Sequence, residues 1–170
     1  QKRITSSNDE TVSTLLTDEL TSITASTVDL TNDAAIGDAN SKGEGTYVNG
    51  SVALNTESVN PGAKTTFTLY VNNTSSFPDN YDLDASTDEL FATSVLPSNW
   101  IVVFKDASGA IITNTGVIGA GANKLVYAEV YVPEDQAAIP AGQSIYFKIE
   151  SPATGATDRI HDAVIVNTIR

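Results

Sequence analysis

The sequence predicts an all-β sandwich preceded by an extended N-terminal arm. Three observations lead to this prediction: a Pro-Gly turn that opens onto an alternating strand, the recurrence of such segments, and a polar leader. In the Asn-Pro-Gly turn at residues 60–62, proline presets φ and glycine accepts the positive φ of a type II turn. Within residues 64–73, Phe67, Leu69 and Val71 then share one face. This period of two is typical of a strand with one buried face.

Alternating segments recur between turn signals along the rest of the chain. Strands are predicted at residues 46–56, 64–73, around Tyr81 and Leu83, and at residues 100–105, 125–132, 145–149 and 160–169. Residues 90–96 are ambiguous, and residues 116–121 are predicted to form a loop. About seven short strands with little helix predict an immunoglobulin-like (Ig-like) antiparallel β-sandwich.

The first 45 residues differ from this pattern, being rich in Thr, Ser and Asp and free of aromatic residues before Tyr47. Apolar residues with helical spacing occur at positions 12, 15, 16, 20 and 23. The many threonines weaken that helix prediction. We therefore divide the chain into an arm or linker, residues 1–45, and an Ig-like sandwich, residues 46–170.

The second half of the arm contains a possible donor strand at residues 26–36. Its apolar residues share the parity of a strand; they are Val28, Leu30, Ala34 and Ile36. An exposed sheet edge carries unpaired N–H and C=O groups that an extended segment can satisfy by strand addition. We expect these four residues to mediate assembly, and the sequence leaves open whether the pairing is within or between chains.

Composition excludes several classes of function. A net charge of −12 and a pI near 4.2 argue against nucleic acid as a partner, because phosphate binding needs a basic surface. No apolar run approaches the roughly 18 residues that span a bilayer. The chain has no Cys, which excludes disulfides and thiolate chemistry. The Thr/Ser/Asn/Asp-rich, Lys-poor composition predicts a secreted or cell-surface protein of the bacterial exterior.

Four segments carry a family likeness. They are residues 60–74, Tyr81-Asp82-Leu83, the Leu-Pro-Ser-Asn-Trp at residues 96–100, and Val-Tyr-Val-Pro at residues 130–133. Together they resemble bacterial Ig-like surface repeats, the conserved-repeat domains of unknown function related to the cell-adhesion-related domain found in bacteria. The resemblance covers residues 46–169. It implies a secreted or surface-attached structural module, often one of many in a long stalk.

No residue pattern predicts catalysis. His161 is the only histidine, flanked by Asp158 and Asp162, and the chain has no Gly-x-Ser-x-Gly elbow to supply a primed serine. We interpret His161 as a surface or edge residue of the last strand. No enzyme activity is expected.

Two groups of side chains are candidates for binding. Asp79, Asp82 and Asp84 offer hard oxygens to Ca²⁺, the alternative being a solvated turn; Ca²⁺ is the one possible cofactor. The outward-facing tyrosines could stack on sugars or form an interface, although tyrosine also simply favours strands. These tyrosines are Tyr70, Tyr127 and Tyr131.

The leading hypothesis is a non-enzymatic extracellular structural protein. It would be an Ig-like building block that assembles with like subunits or neighbouring repeats into a filament, surface layer or stalk through its arm. The alternative is an adhesin or carbohydrate-binding module, possibly stabilised by Ca²⁺, which would use the tyrosines or the acidic turn.

Overall fold

The computed structural model describes residues 2–5, 13–16 and 25–168, and over those ranges the chain forms ten strands and no helix. The strands are β1 (Lys2–Thr5), β2 (Ser13–Leu16), β3 (Val28–Asn32), β4 (Thr56–Val59), β5 (Lys64–Asn73), β6 (Asp82–Ser86), β7 (Ile101–Asp106), β8 (Asn123–Tyr131), β9 (Ile139–Glu150) and β10 (Thr157–Val166). Within the described residues, no helix has the length and apolar character needed to cross a membrane.

Eight of the strands form two four-stranded sheets. Sheet I has the order β4-β10-β9-β6, and sheet II has the order β3-β5-β8-β7. All pairs are antiparallel except β4 with β10, which is parallel. β1 and β2 form a separate two-stranded hairpin. The predicted all-β sandwich is confirmed, with eight strands instead of about seven.

The core lies between the two sheets and follows the alternation seen in the sequence. Phe67, Leu69 and Val71 of β5 are 2%, 1% and 0% exposed. Phe67 packs against Phe147 of β9 with ring centroids 5.5 Å apart. Trp100 is buried at the start of β7, and its indole N–H donates to Gln136 Oε1 at 2.8 Å, which satisfies its polar atom.

The predicted strand at residues 46–56 is wrong over most of its length. Only its last residue enters β4, and Val48 and Val52 are 70% and 83% exposed. The segment instead crosses the outer face of sheet I, where the Tyr47 ring packs edge-on against Tyr146 at 6.4 Å between centroids. Alternating apolar residues indicate a strand only when a sheet edge is available to pair with them.

The helical spacing in the arm is not realised where the structure describes it. Ser13–Leu16 is a strand paired in register with Lys2–Thr5. Positions 12, 20 and 23 of the pattern lie outside the described residues. Ser and Thr, which are poor helix formers, surround the two leucines of β2.

The sandwich begins before residue 46, where the sequence placed its boundary. β3 is an edge strand of sheet II and pairs with β5 along its whole length, from Val28 opposite Asn73 to Asn32 opposite Leu69. The arm therefore contributes a strand to the body of its own chain.

Truncation of a β3 side chain tests this placement. Leu30 is 0% exposed, whereas Ile36 beyond the strand is 43% exposed. Leu30→Ala is expected to lower the free energy of unfolding by about 2–5 kcal/mol, and Ile36→Ala by about 0.5 kcal/mol or less. Urea denaturation followed by Trp100 fluorescence measures both, and equal small losses would contradict the assignment.

Candidate functional site: the two lateral sides of the sandwich

A sandwich of two open sheets has two lateral sides, and here they differ. On one side the edge strands are β3 and β4, and on the other they are β6 and β7. Side chains from β10 close the first side. The second side contains a groove. Because unpaired edges are where strands join, both sides bear on how this chain could associate.

Two carboxylates of β10 reach across the first side to β3. Asp158 Oδ2 accepts a hydrogen bond from the main-chain N–H of Leu30 at 2.8 Å. Asp162 Oδ1 accepts from Asn32 Nδ2 at 2.7 Å and from the N–H of Asn55, just before β4, at 3.1 Å. We call Asp158, Asp162 and Asn32 the carboxyl latch, because they tie β3 and the start of β4 to β10.

The pair of Asp162 and Asn32 is completely buried, each residue being 0% exposed. Within the described part of the chain, Asp162 Oδ2 and Asn32 Oδ1 both lack a hydrogen-bond partner. Both atoms are acceptors when the carboxyl group is ionised. A proton on Asp162 Oδ2 supplies the missing donor, and the carboxylic acid and the amide then bond to each other twice.

Burial favours that protonated form. It raises the pKa of Asp162 to about 7, against the opposing hydrogen bonds from Asn55 and Asn32. Burial likewise raises the pKa of Asp158 to about 6, with a smaller contribution from the charge of Asp29. Asp162 is thus a fully buried carboxyl group and Asp158 a half-buried one, and burial brings the pKa of each close to neutral pH.

The charged groups around the latch partly balance each other. Lys42 Nζ lies 2.7 Å from Asp33 Oδ2 and donates to Asn55 Oδ1 at 2.5 Å. The Asp33 charge raises the pKa of Asp162 and the Lys42 charge lowers it, both less than burial does. Burial also raises the pKa of Asp29 on β3, whose Oδ2 accepts from the N–H of Gly45 at 2.8 Å.

The sequence pointed to Asp158 and Asp162 only as neighbours of His161. Both aspartates share parity with Ile160 and Val164, which are 1% and 0% exposed, and this parity is the signal that places them inward. Acidic side chains are almost never fully buried, so such a pattern is ordinarily interpreted as an outward face.

His161 is not a surface or edge residue, as the sequence had suggested. It is 8% exposed because β10 is an interior strand of sheet I and residues 46–55 cover it. Its ring stacks on Tyr146, with centroids 4.5 Å apart. Nδ1 lies 2.7 Å from the carbonyl oxygen of Ser51, and Nε2 lies 2.9 Å from Ser144 Oγ.

The structure separates the four residues predicted for assembly. Val28 is half-buried and Leu30 is fully buried, both within β3. The chain then turns at Asp33, which has a positive φ of 67°, so that Ala34 and Ile36 lie outside the strand. Strand addition by this segment thus occurs within the chain itself.

The three predicted tyrosines lie on the outer face of sheet II and are half-buried. Tyr131 OH donates to Glu129 Oε2 at 2.6 Å, and Glu129 also contacts Lys64 at 2.5 Å and Lys105 at 2.9 Å. These contacts, with that of Lys64 the largest, lower the pKa of Glu129 to about 2. Tyr127 is paired across strands with Lys105 and Tyr70 with Leu125. The hydroxyl of Tyr131 is thus engaged within the face.

The three predicted Ca²⁺ ligands are not brought together. Asp79 is 5% exposed. Its carboxylate accepts hydrogen bonds from Ser26, Ser151 and Thr154 side chains and from the N–H of Asn80. Burial tends to raise its pKa, but these bonds outweigh burial and lower it.

Asp82 and Asp84 lie instead on the outer face of β6, where they bond Asn114 and Ser94. Nowhere in the described ranges do three or more His, Cys, Asp or Glu side chains form a group able to hold a metal ion. The aspartates of this acidic turn act as hydrogen-bond acceptors that fix loops.

The second lateral side of the sandwich contains an apolar groove between β6 and β7. Its volume is about 360 Å³. The apolar lining residues are Leu83, Ala85, Leu96, Val102 and Phe104. Residues 90–96, which were ambiguous in sequence, form one wall of this groove as a loop instead of a strand.

Main-chain groups of β7 are open beside the groove. Phe104 O accepts from Ile112 N, and Asp106 N donates to Ala110 O, both at 2.9 Å. Residues 104 and 106 therefore direct their main-chain groups away from β8. Val102 has the same parity in the ladder, so its N–H and C=O also point outward. They have no main-chain partner within residues 25–168.

The facing edge of β6 is covered on both sides of Ala85. Leu83 N donates to Thr113 O at 2.9 Å, and Thr87 N donates to Val95 O at 2.8 Å. Thr113 and Val95 therefore pair with this edge on either side of Ala85 and leave a short gap between them.

No protein-family model and no curated protein matches the sequence. Solved structures resemble the fold at low identity. A family 123 glycoside hydrolase from Clostridium perfringens is 16% identical over 69% of this chain, with a TM-score of 0.47. A FixG-related protein from Vibrio parahaemolyticus is 15% identical, with a TM-score of 0.46, over 63% of this chain and 82% of its own.

The sialic-acid-binding region of an adhesin from Streptococcus sanguinis is a further neighbour, 12% identical over 66% of this chain and 28% of its own, with a TM-score of 0.43. This chain spans only 24% of the hydrolase. Likeness at this level carries no conclusion about the fold or the activity of this chain.

The carboxyl latch predicts an unusual pH dependence of stability. The pKa values of Asp158 and Asp162 in the folded chain, about 6 and about 7, lie above the ordinary value of 3.8. Folding therefore favours the neutral forms. Their stabilising contribution is complete below about pH 4 and is lost as the pH rises through 6 and 7.

Asp162→Asn isolates this contribution. An asparagine keeps the acceptor for Asn32 and Asn55 and supplies a permanent donor. At pH 8 the variant should exceed the wild type in unfolding free energy by a few kcal/mol, at about 1.4 kcal/mol per pKa unit, and below about pH 4 the two should nearly coincide. Urea denaturation between pH 3 and pH 8.5 measures the difference.

The matched control is Asp135→Asn, which removes one charge from an exposed position. Its profile should run parallel to that of the wild type. A parallel profile for Asp162→Asn as well would show that Asp162 is ionised in the folded chain.

Proposed function

We propose that this chain is a non-enzymatic structural module of an extracellular bacterial assembly, a filament, surface layer or stalk. It joins like modules through the residues that precede β3. The observation that carries the proposal is the asymmetry of the two lateral sides: one is closed by the chain's own β3, and the other has a gap beside an apolar groove.

The donor in this proposal differs from the segment at residues 26–36. β3 is paired with β5, buried at Leu30 and tied to β10 by the carboxyl latch. Releasing it would expose the core of its own chain. Upstream of it, β1 and β2 pair with each other and with neither sheet of the sandwich.

A structural role fits the chemistry of the side chains. Both ring nitrogens of His161 lie within hydrogen-bond distance of Ser51 and Ser144. The carboxyl groups of Asp79 and Asp162 hold loops and strands in place. An extracellular location is supported by the resemblance of residues 46–169 to bacterial Ig-like surface repeats and by the Thr/Ser/Asn/Asp-rich, Lys-poor composition.

An adhesin or carbohydrate-binding module is the second candidate. It is favoured by the position of Tyr70, Tyr127 and Tyr131 on one face of sheet II. This alternative expects glycan binding that Tyr127→Ala weakens, and a Ca²⁺-dependent rise in melting temperature if the acidic turn takes part.

Deletion of residues 1–24 tests the leading proposal. The whole chain is expected to form particles whose size grows with concentration, and the deletion variant should stay monomeric, with a mass below the 17.9 kDa of one whole chain. Light scattering and electron microscopy measure this. In the control, a Gly/Ser segment of equal length replaces residues 1–24, which preserves the bulk of the arm.

Because β3 and the latch are retained in the deletion variant, its melting temperature should change little. Particles of unchanged size without residues 1–24 would refute assembly through the arm. A whole chain that stays monomeric at every concentration would refute assembly altogether.

A further inference from the structure

We propose that the groove between β6 and β7 receives β2 of a second copy of this chain, which adds a strand beside Val102. This inference rests on the proposed function and identifies both surfaces of the joint. The donor segment is Ser13–Leu16, and the acceptor is the edge of β7 at residues 101–103.

The groove has the character of a protein-binding surface. Its lining contains five apolar residues beside the polar residues Asp84, Ser94 and Thr113. Val95, which adjoins the lining residue Leu96 in sequence, is a large apolar residue that is 47% exposed. An apolar patch rimmed by polar residues marks interaction sites more often than single exposed residues do.

The open edge limits the length of strand that can be added. Ile111 is bridged to Lys105 and Ile112 N bonds Phe104 O, so the upper half of β7 is already covered. The remaining edge spans about three residues around Val102. β2, with four residues, fits this length, and residues of one parity would enter the groove.

One edge of β2 is unpaired within the described chain. In the β1–β2 hairpin, β2 pairs with β1 along one side and with no other strand of the described chain. An isolated two-stranded hairpin is at best marginally stable in water. Docking of β2 against β7 would extend sheet II by two strands and give the hairpin a sheet on which to pack.

Charge favours the same joint. Copies of a chain with a net charge of −12 repel each other. The first eight residues are the exception, since they contain Lys2 and Arg3 and no acidic residue. The acceptor side carries Asp82 and Asp84 on β6. This local attraction opposes the general repulsion between the two copies, and salt screens both.

A second copy, and not the same chain, is the partner we infer. β3, through which the arm enters the body, and β7, the acceptor, are the opposite edges of sheet II. A module with its donor at one edge and its acceptor at the other makes a head-to-tail contact. Such heterologous contacts generate open filaments or rings.

Two complementary variants test the joint. Leu16→Asp disables the donor, and Val102→Arg places a charge in the acceptor groove. Each variant alone should remain monomeric. An equal mixture retains one intact donor and one intact acceptor, so it should form dimers of twice the 17.9 kDa chain mass and nothing larger. Multi-angle light scattering measures the masses.

The control is Val117→Arg, which adds the same charge at a residue that is 76% exposed and outside the groove. It should assemble like the wild type. If Val102→Arg proves unstable, Val102→Pro serves instead. Proline removes an N–H that points away from β8, so the ladder with β8 keeps its bonds.

Each outcome decides the inference. Normal assembly of the acceptor variants, with assembly lost on deletion of residues 1–24, would overturn the groove and leave the proposed function standing. A mixture that stays monomeric would also overturn it. Wild-type chains that stay monomeric would overturn both the inference and the proposed function. Insertion of the hairpin into the groove of its own chain would also overturn the inference. In a variant with Leu16→Cys and Ser94→Cys, such insertion would give a disulfide within one chain.

Discussion

The buried hydrogen bonds from β10 to β3 are the contacts on which the rest of this structure depends. Asp158 and Asp162 lie four residues apart on one strand, and each meets a polar group of the edge strand on the other sheet. A sandwich is otherwise joined by non-directional apolar packing. The two directional contacts fix which segment occupies that edge, and through Asn55 they also fix where β4 begins.

This closure determines which surfaces remain for association. With β3 held in its own sheet, the segment that the sequence favoured as a donor is occupied, and upstream of it β1 and β2 pair with neither sheet of the sandwich. On the other lateral side residues 112 and 113 link β7 to β6, but within the described residues the edge of β7 stays open at Val102. One lateral side of the sandwich is therefore closed, and the other has main-chain groups open to hydrogen bonding. Head-to-tail assembly requires this asymmetry.

Much of the fold followed from local pattern, because alternation and turn chemistry act over a few residues. The strand at residues 64–73 was predicted with the bounds of β5, and the inward faces of β5, β8 and β9 match the alternation. The candidate site did not follow in this way. The roles of Asp158 and Asp162 depend on groups about 130 residues away in sequence, and the exposed Val48 and Val52 imitate a strand that has no edge to join.

The protonation state of Asp162 is the most direct test of this account. Carbon-13 NMR of the aspartate side-chain carboxyl groups, recorded between pH 3 and pH 9 with Asp162→Asn for assignment, gives the pKa in the folded chain. The account predicts a midpoint for Asp162 near 7. A midpoint near the ordinary aspartate value of about 4 would mean that an ionised carboxylate faces Asn32, and the latch described here would then be wrong.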